Sequence, residues 1–210
     1  MMFENLPIWR AFVEEYKLTD TQAAQFAQYL KMVNASNELF NLTAITNPAD
    51  SIAYHFQDSL AISTYIDFNT LQMIADVGTG AGFPGIPLKI LFPHLRVMLI
   101  EVSHKKREFL HEVIAALNLT EIEVTELDWR TFLRKTQEPI NFFVSRASLH
   151  TDELMRMFKP SCTYKNSSLA YWASKEWHPT HAEEPYLVAD HGYTVKNKHR
   201  RIIVFALKNI

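Results

Sequence analysis

Glycine, cysteine and net charge are all scarce in this chain of 210 residues, and each scarcity excludes something. One cysteine, Cys162, leaves no internal disulfide and no zinc site built on several thiolates. A formal net charge of −2 argues against a globally basic nucleic-acid binder. Apolar runs such as Ile202-Ile203-Val204-Phe205-Ala206-Leu207 fall far short of the ~20 residues that a membrane span needs. The opening Met1-Met2-Phe3-Glu4-Asn5 has no basic stretch leading into an apolar one, so no signal peptide is expected and a reducing cytoplasm is the expected compartment.

What remains is enough for a core: 48% of residues are hydrophobic and 21% charged. The charge is uneven. Residues 1–75 carry three Lys or Arg against eight acids, and the remaining residues carry eighteen against fifteen. Residues 1–70 read as a helical extension, with Ile8 to Tyr16, a stretch capped at Thr19 or Asp20, and Ala49 to Tyr65 as helices. Over 71–210 short apolar runs at 71–77, 95–102, 122–127, 140–145 and 168–173 alternate with helical stretches. Such alternation predicts a mostly parallel sheet covered on both faces. Two closing runs around Asn197-Lys198-His199-Arg200 lack a helix between them and predict an antiparallel hairpin. The expected fold is therefore α/β, Rossmann-like, with seven strands in the outline of a class I methyltransferase sheet.

Four of the five glycines, Gly78, Gly80, Gly82 and Gly85, fall within eight positions after the first predicted strand. Glycine there permits a tight turn and lets a ligand touch backbone beside a helix start near Pro84. A tight turn without a ligand would use the same residues. Two ligands compete. Gly80-Ala-Gly82-Phe-Pro-Gly85 matches the dinucleotide fingerprint, with Glu101 at about the expected distance, which would suit an NAD-dependent oxidoreductase. The alternative frame places Asp76 two residues before Gly78, where a carboxylate would attract the ammonium of S-adenosylmethionine and repel a pyrophosphate. Glu101, ending the second strand, could accept both ribose hydroxyls. No Lys-Ser or Lys-Thr closes the loop as a P-loop requires, and no serine-hydrolase elbow occurs.

The segment Asp76-Val-Gly-Thr-Gly-Ala-Gly-Phe-Pro-Gly-Ile-Pro-Leu88 resembles the signature of the glucose-inhibited division protein B family, also called RsmG. Asn41-Leu42-Thr43, His55-Phe-Gln-Asp58-Ser59, Lys105-Lys106-Arg107-Glu-Phe-Leu110 and Ser145-Arg146-Ala147 follow in that family's order. The resemblance implies a cytoplasmic enzyme that moves methyl from S-adenosylmethionine to guanine N7 in small-subunit ribosomal RNA. It implies that Gly78, Phe83, Arg146 and the pair Trp129 and Arg130 meet the cofactor. Asn41, His55 and Asp58 would then lie on the target-base side, with Arg146 beside them. Where that family has Arg-Ala-Glu, this chain has Asp128-Trp129-Arg130, so a cation replaces an acid. Lys159-Pro160-Ser161-Cys162 and Ser174-Lys175-Glu176 depart as well.

His55 and Asp58 share a helix face, but no third ligand accompanies them, and no metal is expected. Lys105, Lys106, Arg107, Lys175 and Arg200 are the expected RNA contacts, although basic runs also serve as solvated faces. A single chain, acting as a monomer on small ribosomal subunits away from membranes, is the expected assembly. A cofactor- and RNA-binding relative without turnover is the rival reading.

Overall fold

The computed structural model describes residues 3–39 and 42–208. Helix α1 (Pro7–Glu15) opens on a proline, whose missing N–H falls where no intrahelical acceptor exists. Ahead of α2 (Asp20–Leu39), Gln22 N donates to Thr19 Oγ1 at 3.3 Å and Thr19 N to Gln22 Oε1 at 3.0 Å, a reciprocal cap. Asn47 caps α3 (Pro48–Ser51) by accepting from the Ala49 and Asp50 amides.

The one helix expected over 49–65 is instead a succession. After α3 comes a π-helical turn, Ile52–Gln57, then α4 (Asp58–Leu60) and a 3₁₀ turn, Ala61–Thr64. The cause is burial on several sides at once. Phe56 packs on Phe12 and Phe26, Tyr54 clusters with Val195 of the terminal hairpin, and His55 stacks on Phe83. A wider π turn distributes consecutive side chains over directions that an α-helix would leave to solvent.

The remaining elements are β1 (Met73–Val77), α5 (Gly85–Leu91), β2 (Arg96–Ile100), α6 (His104–Ala116), β3 (Ile122–Thr125), α7 (Trp129–Lys135) and β4 (Phe142–Arg146). They are followed by α8 (Thr151–Leu154) with a 3₁₀ turn, Met155–Phe158, then β5 (Ser168–Ser174), β6 (Leu187–Val195) and β7 (Lys198–Phe205). Strand order is β3-β2-β1-β4-β5-β7-β6. The first five strands pair in parallel and β7 runs antiparallel to both neighbours. This is the class I methyltransferase sheet that the strand pattern predicts.

Side-chain alternation divides the core. Ile74, Leu99, Val144, Ala170 and Ile202 face α1, α2, α5 and α6, whereas Ala75, Ile100, Phe143, Leu169 and Ile203 face α7 and α8. The N-terminal helices share one apolar cluster with the sheet, since Phe12, Phe26 and Leu30 join the same packed group as Ile74 and Leu99. Removing them would expose a sheet face. The hairpin is tighter than its sequence suggests. Val195 ends β6, Lys198 begins β7, and Lys196 takes φ +54° in the two-residue turn. Lys198, His199 and Arg200 are thus strand residues, and Arg200 pairs with Tyr193.

Candidate cofactor and substrate cleft

The order in which strands are added reverses at β1, which lies between β2 and β4, so a crevice opens beyond their carboxyl ends. A cavity of about 490 Å³ lies there, between the Gly78–Ala81 loop, Glu101 and Val102 after β2, Arg146 to Leu149 after β4, and Thr43 and His55.

The glycines divide by role. Gly80, at φ +63°, would direct a Cβ into space holding nothing within 4 Å, so its backbone is bare to the cavity. Gly78, at φ +67°, would bring a Cβ to 2.3 Å from Ser148 Cβ, and it lets the loops after β1 and β4 touch. Gly82 departs from its expected cofactor contact. It does not line the cavity, and a Cβ there would meet Ile86 Cδ1 at 2.5 Å and the Tyr29 hydroxyl at 2.6 Å. It is a packing glycine above α2, where Tyr29 donates to the Ala81 carbonyl at 2.5 Å.

Asp76 does not line the cavity either. It shares strand parity with Ile74 and so turns under α5, fully buried and away from the cavity. Its Oδ2 accepts from Thr79 Oγ1 at 2.6 Å and Gly85 N at 2.8 Å, tying the loop to the strand. Burial pushes its carboxyl up to about 6, against those two hydrogen bonds. Glu101, by contrast, stays on the cavity wall. Its Oε2 accepts from Gly80 N at 2.9 Å and its Oε1 from Ser103 N at 2.8 Å, which fixes the carboxylate and leaves lone pairs free. Beside it Val102 is 61% exposed, an apolar side chain held in water at the cavity lip.

On the opposite wall His55 stacks on Phe83 with ring centroids 4.5 Å apart and planes 7° from parallel, and the Arg146 guanidinium lies 5.3 Å from the Phe83 centroid. His55 Nε2 is 3.0 Å from Thr43 Oγ1. Burial, with Arg146 beside it, holds the imidazole down at about 3, so it is neutral near pH 7.

Arg146 Nη1 donates to the Tyr54 carbonyl at 2.7 Å and to Asp58 Oδ2 at 2.8 Å. Asp58, fully buried, is not a cavity residue, unlike its expected place on the target-base side. Its Oδ1 accepts from the Tyr193 hydroxyl at 2.7 Å and lies 3.3 Å from Arg200 Nε. One carboxylate therefore aims two guanidiniums, Arg146 and Arg200, at the cavity they both line.

Trp129 and Arg130 do not line the cavity. Trp129 is buried against Phe132 and Phe143, with its Nε1 donating to the Glu153 carbonyl at 2.9 Å. Arg130 grips the Glu153 carboxylate through two donors at 2.8 and 2.7 Å. An indole offers more apolar area to a core than to a polar crevice, so the sheet face captures it. Among the basic candidates, Lys106 lines the cavity and Lys105 is exposed outside it. Arg107 is spent locally, donating to the Val102 carbonyl at 2.6 Å and to Glu126 at 3.2 Å. Lys175 lies in an adjoining basic hollow with His199, Arg200 and Arg201. Asn41 lies outside the described residues. Tyr193 and Val102 were not singled out by the sequence, and Thr43 only as part of Asn41-Leu42-Thr43. Val102 had a signal, an apolar residue following the acid at a strand end, whereas Tyr193 had none.

Residues 22–202 match the model of the rRNA small subunit methyltransferase G family, GidB. The chain belongs to this family. A relative from Macrococcus caseolyticus, a ribosomal RNA small subunit methyltransferase G, is 48% identical over 105 residues, half of this chain and 44% of that protein. One of the same name from Exiguobacterium is 46% identical over 106 residues. The chain thus spans less than half the length of these curated relatives in its matched part. Among solved structures, human methyltransferase 10 domain containing protein superposes with TM-score 0.60 at 14% identity, covering 90% of this chain and 98% of that one. TrmK from M. capricolum, solved with S-adenosyl-homocysteine, gives 0.54 at 14% identity, covering 73% and 70%. Both likenesses concern the fold.

Proposed function

We propose that this chain transfers a methyl group from S-adenosylmethionine to N7 of a guanine in small-subunit ribosomal RNA, acting in the cytoplasm with its cleft completed by one chain. The observation that carries the reading is the bare backbone at Gly80, hydrogen-bonded to a fixed Glu101 carboxylate on one wall of the switch-point cavity. The donor set suits the cofactor. Glu101 retains acceptor capacity for two ribose hydroxyls, and exposed Val102 offers an apolar surface to a purine.

S-adenosylmethionine supplies an electrophilic methyl on a sulfonium. Guanine N7 would take that methyl on its neutral lone pair as the sulfur–methyl bond breaks, leaving a neutral thioether and a cationic base, so no proton has to leave and no general base is needed. The polar groups around the cleft agree with this. His55 is neutral and already paired with Thr43, Asp58 is committed to two arginines and Tyr193, and Asp76 is buried under α5. The chain's work is orientation and exclusion of water. Arg146 has only Nη1 engaged among the described residues, which leaves Nη2 and Nε for a base carbonyl or a phosphate. Lys106 and Arg200, across the same cavity, attract the RNA backbone.

The test is tritiated-methyl incorporation into small-subunit particles that lack the modification, with cofactor binding followed by calorimetry. Incorporation that disappears in Arg146→Ala, with cofactor still bound, supports the reading. Cofactor binding without any incorporation by the natural chain overturns it in favour of a binding protein.

A further inference from the structure

A second concavity, of about 650 Å³, lies outside the cleft on the face covered by α7 and α8. Among the described residues four cations line it, Arg130, Arg134, Arg156 and Lys159, and no acid does. We infer that this hollow binds phosphate groups of the RNA backbone, as a second contact for the substrate whose guanine enters the cleft. The inference rests on the function proposed above.

Like charges gather only where something holds them. Here Glu153 accepts from Nε and Nη2 of both Arg130 and Arg156, at 2.7 to 3.1 Å. Arg134 is held through Nε to the Arg130 carbonyl at 3.2 Å and through Nη2 to Thr131 Oγ1 at 3.3 Å. In all three arginines the protein uses the same edge, and Nη1 has no acceptor among the described residues. Lys159 Nζ likewise has none. Nearby, Asp128 is engaged as the α7 cap through Thr131 N at 2.8 Å. Glu153 thus serves two of the four cations, Asp128 and Asp152 act on Arg130 from outside the lining and Asp128 on Arg134 as well, and the groups that face the hollow are cationic with guanidinium planes already held. Fixed guanidinium donors suit phosphate oxygens and lose little freedom on binding.

RNA rather than a small phosphorylated molecule follows from position. The loop after β4 contributes Ser148 and Leu149 to the cleft, and Glu153 follows within five residues. An RNA strand that leaves the cleft past Leu149 would run onto α8, whose Glu153 holds Arg130 and Arg156. The hollow's cations remain solvent-accessible, with Arg130 60% exposed, as a contact along a backbone requires.

Cys162 lines the hollow and is the chain's one cysteine, so it reports on occupancy. The experiment measures maleimide labelling of Cys162 with and without a small-subunit rRNA fragment, with inorganic pyrophosphate as a second probe. Filter binding over a salt series is run on the natural chain and on an Arg134→Gln/Lys159→Gln variant, whose folding is checked by circular dichroism. The expected result is severalfold protection by RNA and weak protection by pyrophosphate. The variant's log–log salt slope should fall by about 1.4–1.8, two lost contacts at roughly 0.7–0.9 each. Cofactor affinity should be unchanged. RNA that binds and is methylated while Cys162 labels freely and the slope stays fixed would overturn this inference alone. Protection by pyrophosphate with an unchanged RNA slope would assign the hollow to a small phosphate ligand and overturn the RNA contact. Protection by RNA without methyl incorporation would leave the hollow standing and remove the proposed reaction. Absence of RNA binding would remove both.

Discussion

Replacing Asp58 by Asn is the most demanding test of the cleft's construction. The substitution keeps shape and removes one charge from a fully buried position. Asn has one acceptor oxygen, but Asp58 accepts on both, from Arg146 at 2.8 Å and from Tyr193 at 2.7 Å with Arg200 at 3.3 Å. Whichever way the amide turns, its NH₂ faces another donor. Arg146, 11% exposed, then keeps a charge with only neutral acceptors opposite it, the Tyr54 carbonyl and at best the Asn oxygen, while Arg200, 27% exposed, relaxes toward water. Breaking a buried pair from one side costs about 3–5 kcal/mol. Since Arg146 opens on the cavity, the lower part of that range applies, about 3–4 kcal/mol. For a domain of this size 1 kcal/mol shifts Tm by roughly 2–4 °C, so a fall of about 6–16 °C is expected. Thermal melts at pH 7 by circular dichroism measure it. Adding Arg146→Met should recover part of the loss, because the stranded charge is then gone. A change in stability below about 1 kcal/mol would refute the argument that Asp58 organises the wall.

Glu101→Gln must present its NH₂ to either the Gly80 or the Ser103 amide, so it loses a fixed acceptor. Affinity for S-adenosylmethionine should fall about 10- to 100-fold, from roughly 1.5–3 kcal/mol for a charge-assisted bond, and calorimetry would show it. Gly80→Val should abolish cofactor binding through its side chain in open cavity and its strained φ of +63°, and a folded variant with full affinity would make the loop a mere turn. Two buried groups oppose each other in pH dependence. His55 drops from 6.5 to about 3, so between those values the unfolded chain binds the extra proton and stability rises with pH. Asp76 rises from 3.8 to about 6, so over that window the folded chain binds the extra proton and stability falls with pH. His55→Phe should remove the rising contribution and make stability decline more steeply from pH 4 to 6, read from urea midpoints. Parallel curves for both chains would sink the assignment of a neutral His55.

The sheet was legible because its signal is local and repeated. Five apolar runs separated by amphipathic stretches leave little besides a parallel sheet, and two runs without room for a helix leave a hairpin. The π turn at Ile52–Gln57 was not legible, because its cause lies in partners remote in sequence. Phe12, Phe83 and Val195 press on it from three directions. Likewise the hairpin turn was misplaced because Lys198 to Arg200 look like a polar loop, and only pairing with Tyr193 and Thr194 makes them strand.

The cleft shows the same division more sharply. That Gly80 and Glu101 line the cavity could be read from position alone, since both follow the ends of adjacent strands at the switch point. Asp76 could have been excluded by parity, since a residue in register with Ile74 faces α5 rather than the crevice mouth. Trp129 and Arg130 could not have been excluded, because a family position carries no information on which way a substituted side chain turns. What escaped the sequence altogether is the Asp58 hub, which gathers Arg146, Tyr193 and Arg200 from β4, β6 and β7. That hub also constrains the chemistry. Both oxygens of that buried carboxylate are taken up by Arg146, Tyr193 and Arg200, and it does not line the cavity. His55, neutral and stacked on Phe83, has its Nε2 on Thr43. The wall facing Glu101 thus presents no free carboxylate among the described residues, which agrees with the proposed transfer to a nucleophile that needs no proton removed.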